Sequence, residues 1–283
     1  MMMKCRLNLL FFLSLVSFSA AFSQDYAVSS IPGSLLENAC AVIRIDENIL
    51  EADVSGTKTE HRYAITILNK SGNYLNSFTE HYDDDRKITS VKATVYDKNG
   101  NKIQKYKRSD FEDYSAVSSF SLYEDNRVLH FKPHINQLPY TVEYEYATRS
   151  DAYMTFPSWI PVPAHNVSTC KSDYILNVPS GFDVRIKEFN LPEKHVSEEE
   201  GDTKKIIFRL RNYEALEEEP HSPGADSYLP MARLVPRNFQ LDKYPGSFES
   251  WQAFGDWVNI LLEGRDVLPE VFRKILSNGP TEL

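Results

Sequence analysis

The side chains of this sequence that could carry chemistry are few and scattered, and they include seven histidines and three cysteines. The densest group is His81-Tyr82-Asp83-Asp84-Asp85, whose carboxylates are ligands of the kind that calcium prefers. This run lacks the spacing and the glycine of a calcium-binding loop, so a solvated loop is the favoured interpretation. His130 and His134 flank Pro133, which keeps them from forming a helical metal-binding pair. We therefore predict no metal site and no cofactor.

Cysteine chemistry is not favoured either. A nucleophilic cysteine needs a positively polarised, partly exposed setting with a base close by. Cys40 and Cys170 lie in strand patterns with no glycine-rich turn or helix start after them. The sequence also lacks a Gly-x-Ser-x-Gly, a phosphate-binding loop, a His-Glu-x-x-His and a Cys-x-x-Cys motif. We therefore expect no catalytic residues, and we favour two separate buried thiols over a Cys40–Cys170 disulfide, which an exported protein would also permit.

Three tryptophans remain as candidate binding or docking residues: Trp159, Trp251 and Trp257. The first lies in Phe156-Pro157-Ser158-Trp159-Ile160-Pro161-Val162-Pro163, whose prolines exclude an interior strand and predict an extended edge or crossover. Exposed rings beside prolines can stack on a sugar or a partner peptide. A structural edge is the favoured interpretation, and a binding surface at Trp159 is the alternative.

The clearest predicted helix runs from Ser247, its expected N-cap, to Gly264, which follows the last periodic residue. Its apolar residues at three- and four-residue spacings share a face: Phe248, Trp251, Phe254, Val258, Leu261 and Leu262. Trp257 lies off the centre of this stripe and is expected to contact a neighbouring element. We expect both tryptophans to pack in the core, so that Trp251→Ala would cost about 3 kcal/mol or more of stability.

Strand patterns dominate the chain before this helix. Pro139 to Arg149 alternates apolar and polar residues, as a strand with one solvated face does. Asp97-Lys98-Asn99-Gly100 is the strongest hairpin signal, because Asn-Gly tolerates the positive φ angles of a tight turn. Pro192 to Thr203 is interpreted as a polar, acidic connection between two strands. About eleven short strands with turn punctuation predict a mainly β fold, an antiparallel β-sandwich with a short C-terminal helical segment.

The first residues have the pattern of a signal peptide. Lys4 and Arg6 precede an apolar run, Leu7 to Phe18, and Ala21-Phe22-Ser23 offers small residues at the cleavage-reading positions. We therefore expect an exported protein, in the periplasm or at the cell surface, that does not span the membrane after cleavage. Loss of residues 1–23 would change the net charge from −9 to −11. That charge argues against nucleic acid and anionic lipid as partners.

These patterns divide the chain into four parts. We predict a signal peptide (1–23), a leading segment (24–39), a β-sandwich domain (40–240) and a helical extension or linker (241–283). The extension contains the helix described above and a second short helix at Pro269 to Leu276. We see no internal repeat and no low-complexity tract.

Residues 40–265 resemble an exported bacterial family known as domain of unknown function 3857. Leu138 to Tyr146 looks like the central strand of that family, and Phe156 to Pro163 looks like its aromatic-proline crossover. Leu210 to Pro220 resembles the family's exit from the sheet, which ends in Glu-Pro. Ser250-Trp251 and Gly255-Asp256-Trp257 look like its terminal helix. No single stretch is specific, and the likeness depends on their order and spacing.

The resemblance implies a β-sandwich from Bacteroides-like bacteria that is usually followed by a transglutaminase-like core, a papain-like domain with a Cys-His-Asp arrangement. None of those three catalytic residues can be assigned in this chain. Our first hypothesis is a non-catalytic module that scaffolds or presents substrate to such a domain, in cis or in trans, with Trp251 and Trp257 on the docking helix. The alternative is a stand-alone glycan- or protein-binding module that uses Trp159. An enzyme in its own right is the least supported hypothesis.

Overall fold

The computed structural model describes residues 25–116, 125–224, 227–241 and 244–265, together with 267, 270 and 273. The predicted signal peptide and most of the predicted second helix, Pro269 to Leu276, lie outside the described residues.

Strands make up most of the described structure, as the sequence predicts. In chain order they are β1 (Ala41–Asp53), β2 (Gly56–Ile67), β3 (Phe78–Tyr82), β4 (Arg86–Tyr96), β5 (Lys102–Lys107), β6 (Glu112–Ser115), β7 (Arg127–Phe131), β8 (Tyr140–Ser150), β9 (Val167–Pro179), β10 (Val184–Phe189), β11 (Val196–Glu200), β12 (Thr203–Tyr213), β13 (Met231–Pro236), β14 (Asn238–Leu241) and β15 (Tyr244–Ser247). The α-helix is α1 (Trp251–Leu262), and 3-10 helices occupy Val28–Ser30, Gly33–Leu35, Lys70–Asn76 and Arg108–Asp110. The prediction of a mainly β fold with a short C-terminal helix is confirmed.

One large sheet organises the molecule. Its eight strands follow the order β11-β12-β9-β1-β2-β8-β4-β5, and three smaller sheets are formed by β3-β7-β6, β10-β13 and β14-β15. Among the described strands, every pair is antiparallel apart from β1 with β9, which run parallel. A parallel pair needs a crossover connection. The segment between β8 and β9 provides it, and it contains the predicted aromatic-proline stretch.

The inner face of the large sheet carries two hydrophobic cores. The first packs β1, β2, β4 and β8 against the β3-β7-β6 sheet, with Phe78 and Phe131 among its buried residues. The second packs β9 and β12 against the crossover, β13, β14 and α1, with Phe208 and Leu234 among its buried residues. The small sheets and the helix therefore form the second layer of a sandwich-like arrangement.

Residues 25–39 lie against the outer face of the large sheet. The buried guanidinium of Arg44 donates to the backbone oxygen of Asp25 at 2.9 Å and to Oγ of Ser30 at 2.7 Å. The hydroxyl of Tyr26 donates to Glu143 at 2.8 Å. These bonds join the leading segment to β1 and β8 with buried polar groups that each have a partner, as buried polar groups require.

Glu143 is the centre of that outer-face network. Its carboxylate accepts from Nε of Arg62 and from the Tyr96 hydroxyl, both at 2.7 Å, besides Tyr26. Burial by itself would raise the pKa of the Glu143 carboxyl. The hydrogen bonds from Tyr96, Tyr26 and Arg62 outweigh burial and hold this pKa below its ordinary value. The carboxylate is therefore charged and paired in the folded protein.

The prediction that Pro192 to Thr203 is an acidic connection without a strand is wrong. Residues Val196–Glu200 form β11, which pairs with β12 at the edge of the large sheet. All five residues of this strand are exposed. An edge strand is fixed by its backbone ladder on one side, and it need not show the apolar alternation from which we predict strands.

The boundaries and faces of α1 also differ from the prediction. Ser250, not Ser247, is the N-cap, and its side chain accepts from the backbone N–H of Ala253. Trp257 is the buried tryptophan, whereas Trp251 is 90% exposed. Successive helical residues turn by about 100°, which places the centre of the buried face, between Trp257 and Leu261, about 100° from Trp251. Trp251 therefore lies outside the buried face, although the spacing predicts it on that face.

The contact of Trp257 with the β14-β15 hairpin depends on Gly246. A Cβ at this position would lie 2.4 Å from the Phe239 ring and 2.9 Å from the Trp257 ring. We predict that Gly246→Ala lowers the free energy of unfolding by about 1–3 kcal/mol, because two packed rings must move. Gly255→Ala is the matched control, since nothing lies within 4 Å of its added methyl group. Equal denaturant midpoints for the two variants would contradict this packing.

Candidate functional site

A cavity of about 320 Å³ lies where the two cores meet on the inner face of the large sheet. We call it the central cavity. Strands β1, β2, β8 and β9 form its floor, and the start of β3 and the crossover form its walls. Six aromatic side chains line it: Tyr63, Phe78, Tyr144, Tyr146, Trp159 and Tyr174. A concave, mostly aromatic pocket with a few polar groups is the usual form of a small-molecule site.

A row of hydrogen-bonded polar side chains crosses the floor of the central cavity. Ser172 donates to Asp46 at 2.6 Å, and Asp46 lies 2.7 Å from Nε2 of His61. Nδ1 of His61 lies 2.9 Å from the Tyr146 hydroxyl. We call Ser172, Asp46, His61 and Tyr146 the polar row.

The strand order explains the polar row. Ser172 lies opposite Asp46 in the β9-β1 pair, and His61 lies opposite Tyr146 in the β2-β8 pair. Asp46 lies opposite Tyr63 in β2, which makes His61 its diagonal neighbour on the same face. Four neighbouring strands thus each supply one member, although the residues are distant in the sequence.

Trp159 closes one end of the polar row. Its indole N–H donates to Oγ of Ser172 at 2.8 Å, and the residue is only 3% exposed. Its backbone forms an antiparallel bridge to Ala232 of β13. The prediction of an extended edge or crossover therefore agrees with the structure, but the alternative prediction of an exposed sugar- or peptide-stacking surface at Trp159 is wrong. A buried indole needs a partner for its N–H, and Ser172 supplies it.

Two phenols of the central cavity have raised pKa values. Burial is the larger cause for Tyr63, and the charge of Asp46 adds to it. Burial is also the larger cause for Tyr146, and the charge of Glu80 adds to it. The hydroxyl next to His61 is therefore a protonated phenol, which can take part in hydrogen bonds.

Asn48 adds an acceptor without a partner to the central cavity. Its Oδ1 is buried and has no hydrogen-bond partner among the described residues. Leaving a buried acceptor unpaired costs about 1–3 kcal/mol. Such a group in a native structure calls for an explanation, and a catalytic role or a bound water or ion is a usual one.

The exposed side of α1 is the second candidate surface. Trp251 is 90% exposed and Leu262 is 56% exposed. These residues are three helical turns apart, so they lie on the same side of the helix. We call Trp251 and Leu262 the helix face. On the buried side, Trp257 donates to the backbone oxygen of Tyr244 at 3.3 Å and packs edge-on against Phe239.

The structure brings together two of the three predicted site residues. Trp159 and Trp257 belong to the same hydrophobic core, whereas Trp251 lies outside it. The polar row and Asn48 were missed by sequence reasoning. Their signal was a set of polar residues at core-facing positions of strand patterns, such as Asp46 and His61.

The other predicted groups are structural or remain separate. Asp83 accepts from the backbone N–H of Arg86 at 2.7 Å and so shapes a turn, while Asp84 pairs with Lys87. Cys40 and Cys170 are free thiols, as favoured from the sequence. Across the described ranges, no group of three or more His, Cys, Asp or Glu side chains is placed to hold a metal ion. No helix in the same residues is long and apolar enough to cross a membrane.

Comparison with known proteins gives a family and one informative fold. A family model described as "Domain of Unknown Function with solved-structure structure (DUF3857)" matches residues 54–217. A crystal structure of a candidate protease from Parabacteroides distasonis superposes with a TM-score of 0.56 at 15% identity. The match covers 69% of this chain and 40% of that protein. No curated protein matches the sequence.

Two peptidases give weaker likenesses. Legionella pneumophila aminopeptidase A, in complex with aspartic acid, has a TM-score of 0.30 at 9% identity, over 76% of this chain and 23% of its own. An M1 zinc metallopeptidase from Deinococcus radiodurans has a TM-score of 0.32 at 7% identity, over 74% of this chain and 46% of its own. Neither likeness carries an argument about function. The chain spans less than half the length of all three of these proteins.

Proposed function

This chain belongs to the DUF3857 family, and we propose that it is an exported, non-catalytic β-sandwich module that scaffolds a catalytic domain in the same polypeptide. In many members of the family a transglutaminase-like domain follows this module in the chain. We place that domain on the helix face. The observation that carries it is the exposure of Trp251, a large aromatic residue on a helix whose other side is packed.

The amount of apolar surface on α1 supports docking. Isolated exposed apolar residues are common on soluble proteins, but a cluster of them indicates an interaction site. Trp251 and Leu262 share one side of the helix, and Val267, just beyond the helix, is 59% exposed. Tryptophan is also the residue type most enriched among those that dominate binding energy.

Two observations favour a docking partner in the same polypeptide. The chain matches only 40% of the length of the Parabacteroides protein, so in that protein a similar fold is one part of a longer chain. The family resemblance implies a transglutaminase-like core after the terminal helix. The helix face lies on the last described helix, next to where such a core would begin.

Trp251→Ala tests the docking proposal without disturbing the fold. We expect the domain encoded downstream, produced separately, to bind the variant at least thirtyfold more weakly than the wild-type chain, as for an interface hot spot of about 2 kcal/mol. Isothermal titration calorimetry measures both affinities. Tyr114→Ala is the control, because Tyr114 is a 48% exposed aromatic residue on β6.

Two results would contradict the proposal. One is equal affinity of the wild-type, Trp251→Ala and Tyr114→Ala chains for the downstream domain. The other is a reading frame that encodes no further domain after the Leu283 codon.

A further inference from the structure

We propose that the central cavity is a binding site for a small primary amine, whose ammonium group is held by Asp46 and Asn48 among the aromatic side chains. None of the lining residues belongs to α1, so this inference is independent of the docking proposal.

The charge of the central cavity favours a cation. Asp46 is the carboxylate among the lining residues, and no lysine or arginine lines the cavity within the described structure. His61 is the other titratable group that contacts it. Asp46 therefore supplies the carboxylate charge of the cavity. A ligand carboxylate or phosphate would be repelled there, since like charges in a poorly solvated site interact strongly.

The hydrogen-bond inventory fits an ammonium group. An ammonium has three N–H donors and no acceptor. The free Oδ1 of Asn48 accepts one of them, and the carboxylate of Asp46, which has more acceptor positions than its contacts with Ser172 and His61 use, accepts another. A ligand that supplies only acceptors would leave the Asn48 oxygen unpaired.

The aromatic walls add a second attraction for a cation. The faces of tyrosine, phenylalanine and tryptophan rings carry negative potential, and rings around a desolvated ammonium are a recurrent form of cation recognition. Six such side chains line the central cavity. Its volume of about 320 Å³ is at the lower end of the range of small-molecule pockets. It therefore suits the amino end of a peptide or the end of a lysine side chain.

Ligand-observed NMR with three butyl compounds tests the charge preference. We expect butylamine, as its ammonium ion at pH 7, to bind the full chain at least tenfold more tightly than 1-butanol. Butyrate is expected not to bind. Equal affinity for butylamine and 1-butanol, or no saturation transfer to butylamine, would overturn the proposal.

Asn48→Leu tests the site while preserving the fold. The buried Oδ1 of Asn48 has no partner to lose, and an apolar group of similar shape removes the cost of burying it, so the melting temperature is expected to stay the same or rise. Butylamine affinity is expected to fall about tenfold or more, because a hydrogen bond to a charged group is lost. Asn177→Leu is the control, since its Oδ1 is also buried and unpartnered but lines a different cavity.

Two peptide probes separate the biological sources of the amine. Glycylglycine amide presents a free amino terminus, and Nα-acetyl-lysine amide presents only the side-chain ammonium. Binding of either probe that weakens in Asn48→Leu supports the site and identifies its source. Unchanged binding of butylamine and both probes in Asn48→Leu would overturn it.

Discussion

Trp159→Ala is expected to lower the free energy of unfolding by about 3–5 kcal/mol, the usual cost of truncating a large buried aromatic residue. The indole is 3% exposed and packs against Phe208 with ring centroids 5.4 Å apart. The variant also leaves Ser172, at the end of the polar row, without its donor. Urea denaturation followed by circular dichroism measures the change.

Trp251→Ala is the matched control for that measurement. A 90% exposed side chain is expected to change the free energy of unfolding by no more than about 0.5 kcal/mol. A loss of several kcal/mol for Trp251→Ala with an unchanged Trp159→Ala would reverse the assignment of core and surface tryptophans. It would also remove the basis of the helix face.

Glu143→Ala is expected to cost about 3 kcal/mol of stability. Removing one partner of a buried ion pair leaves the remaining polar groups without their acceptor. Here the groups left are the Arg62 guanidinium and the hydroxyls of Tyr26 and Tyr96. Tyr26 belongs to the leading segment, so loosening of residues 25–39 should accompany the loss. Hydrogen exchange of the amides in this segment measures that loosening.

The pH dependence of stability tests the same carboxylate. The folded pKa of Glu143 lies below the ordinary value of 4.5. Its contribution is therefore fully present above that value and is lost as the pH falls through the lower, folded pKa. Glu143→Gln should reduce the loss of stability on acidification relative to the wild-type chain. The control Glu112→Gln, at an exposed position of β6, should retain the wild-type pH profile.

Local sequence patterns predicted the elements well because their physical causes are local. Alternation along Pro139 to Arg149 matches β8, and the Asn-Gly pair matches the turn between β4 and β5. The proline-rich stretch around Trp159 is predicted to be an extended edge or crossover for a backbone reason, because its prolines lack N–H donors. That reason says nothing about which way the indole points, so its burial could not be predicted.

The candidate site could not be predicted because it depends on strand order. Ser172, Asp46, His61 and Tyr146 come together through the β9-β1-β2-β8 neighbours, one pair of which is parallel. No short stretch of sequence specifies that order. The prediction for the tryptophans of α1 failed for a different reason, since only Trp257 is buried. Trp251 and Trp257 lie about 120° apart around the helix, on opposite sides of the centre of the buried face, and a shift of the assumed centre by about 40° changes which one is nearer to it.

Acrylamide quenching of Trp251 fluorescence tests the docking claim most directly. The chain has three tryptophans, and Trp159 and Trp257 are buried, so the difference between wild-type and Trp251→Phe proteins reports on Trp251. The measurement compares the 283-residue chain with the product of the complete reading frame that contains it. The account predicts strong quenching of Trp251 in the chain alone and marked protection in the longer protein. Equal quenching in both, or a reading frame that ends at Leu283, would contradict it.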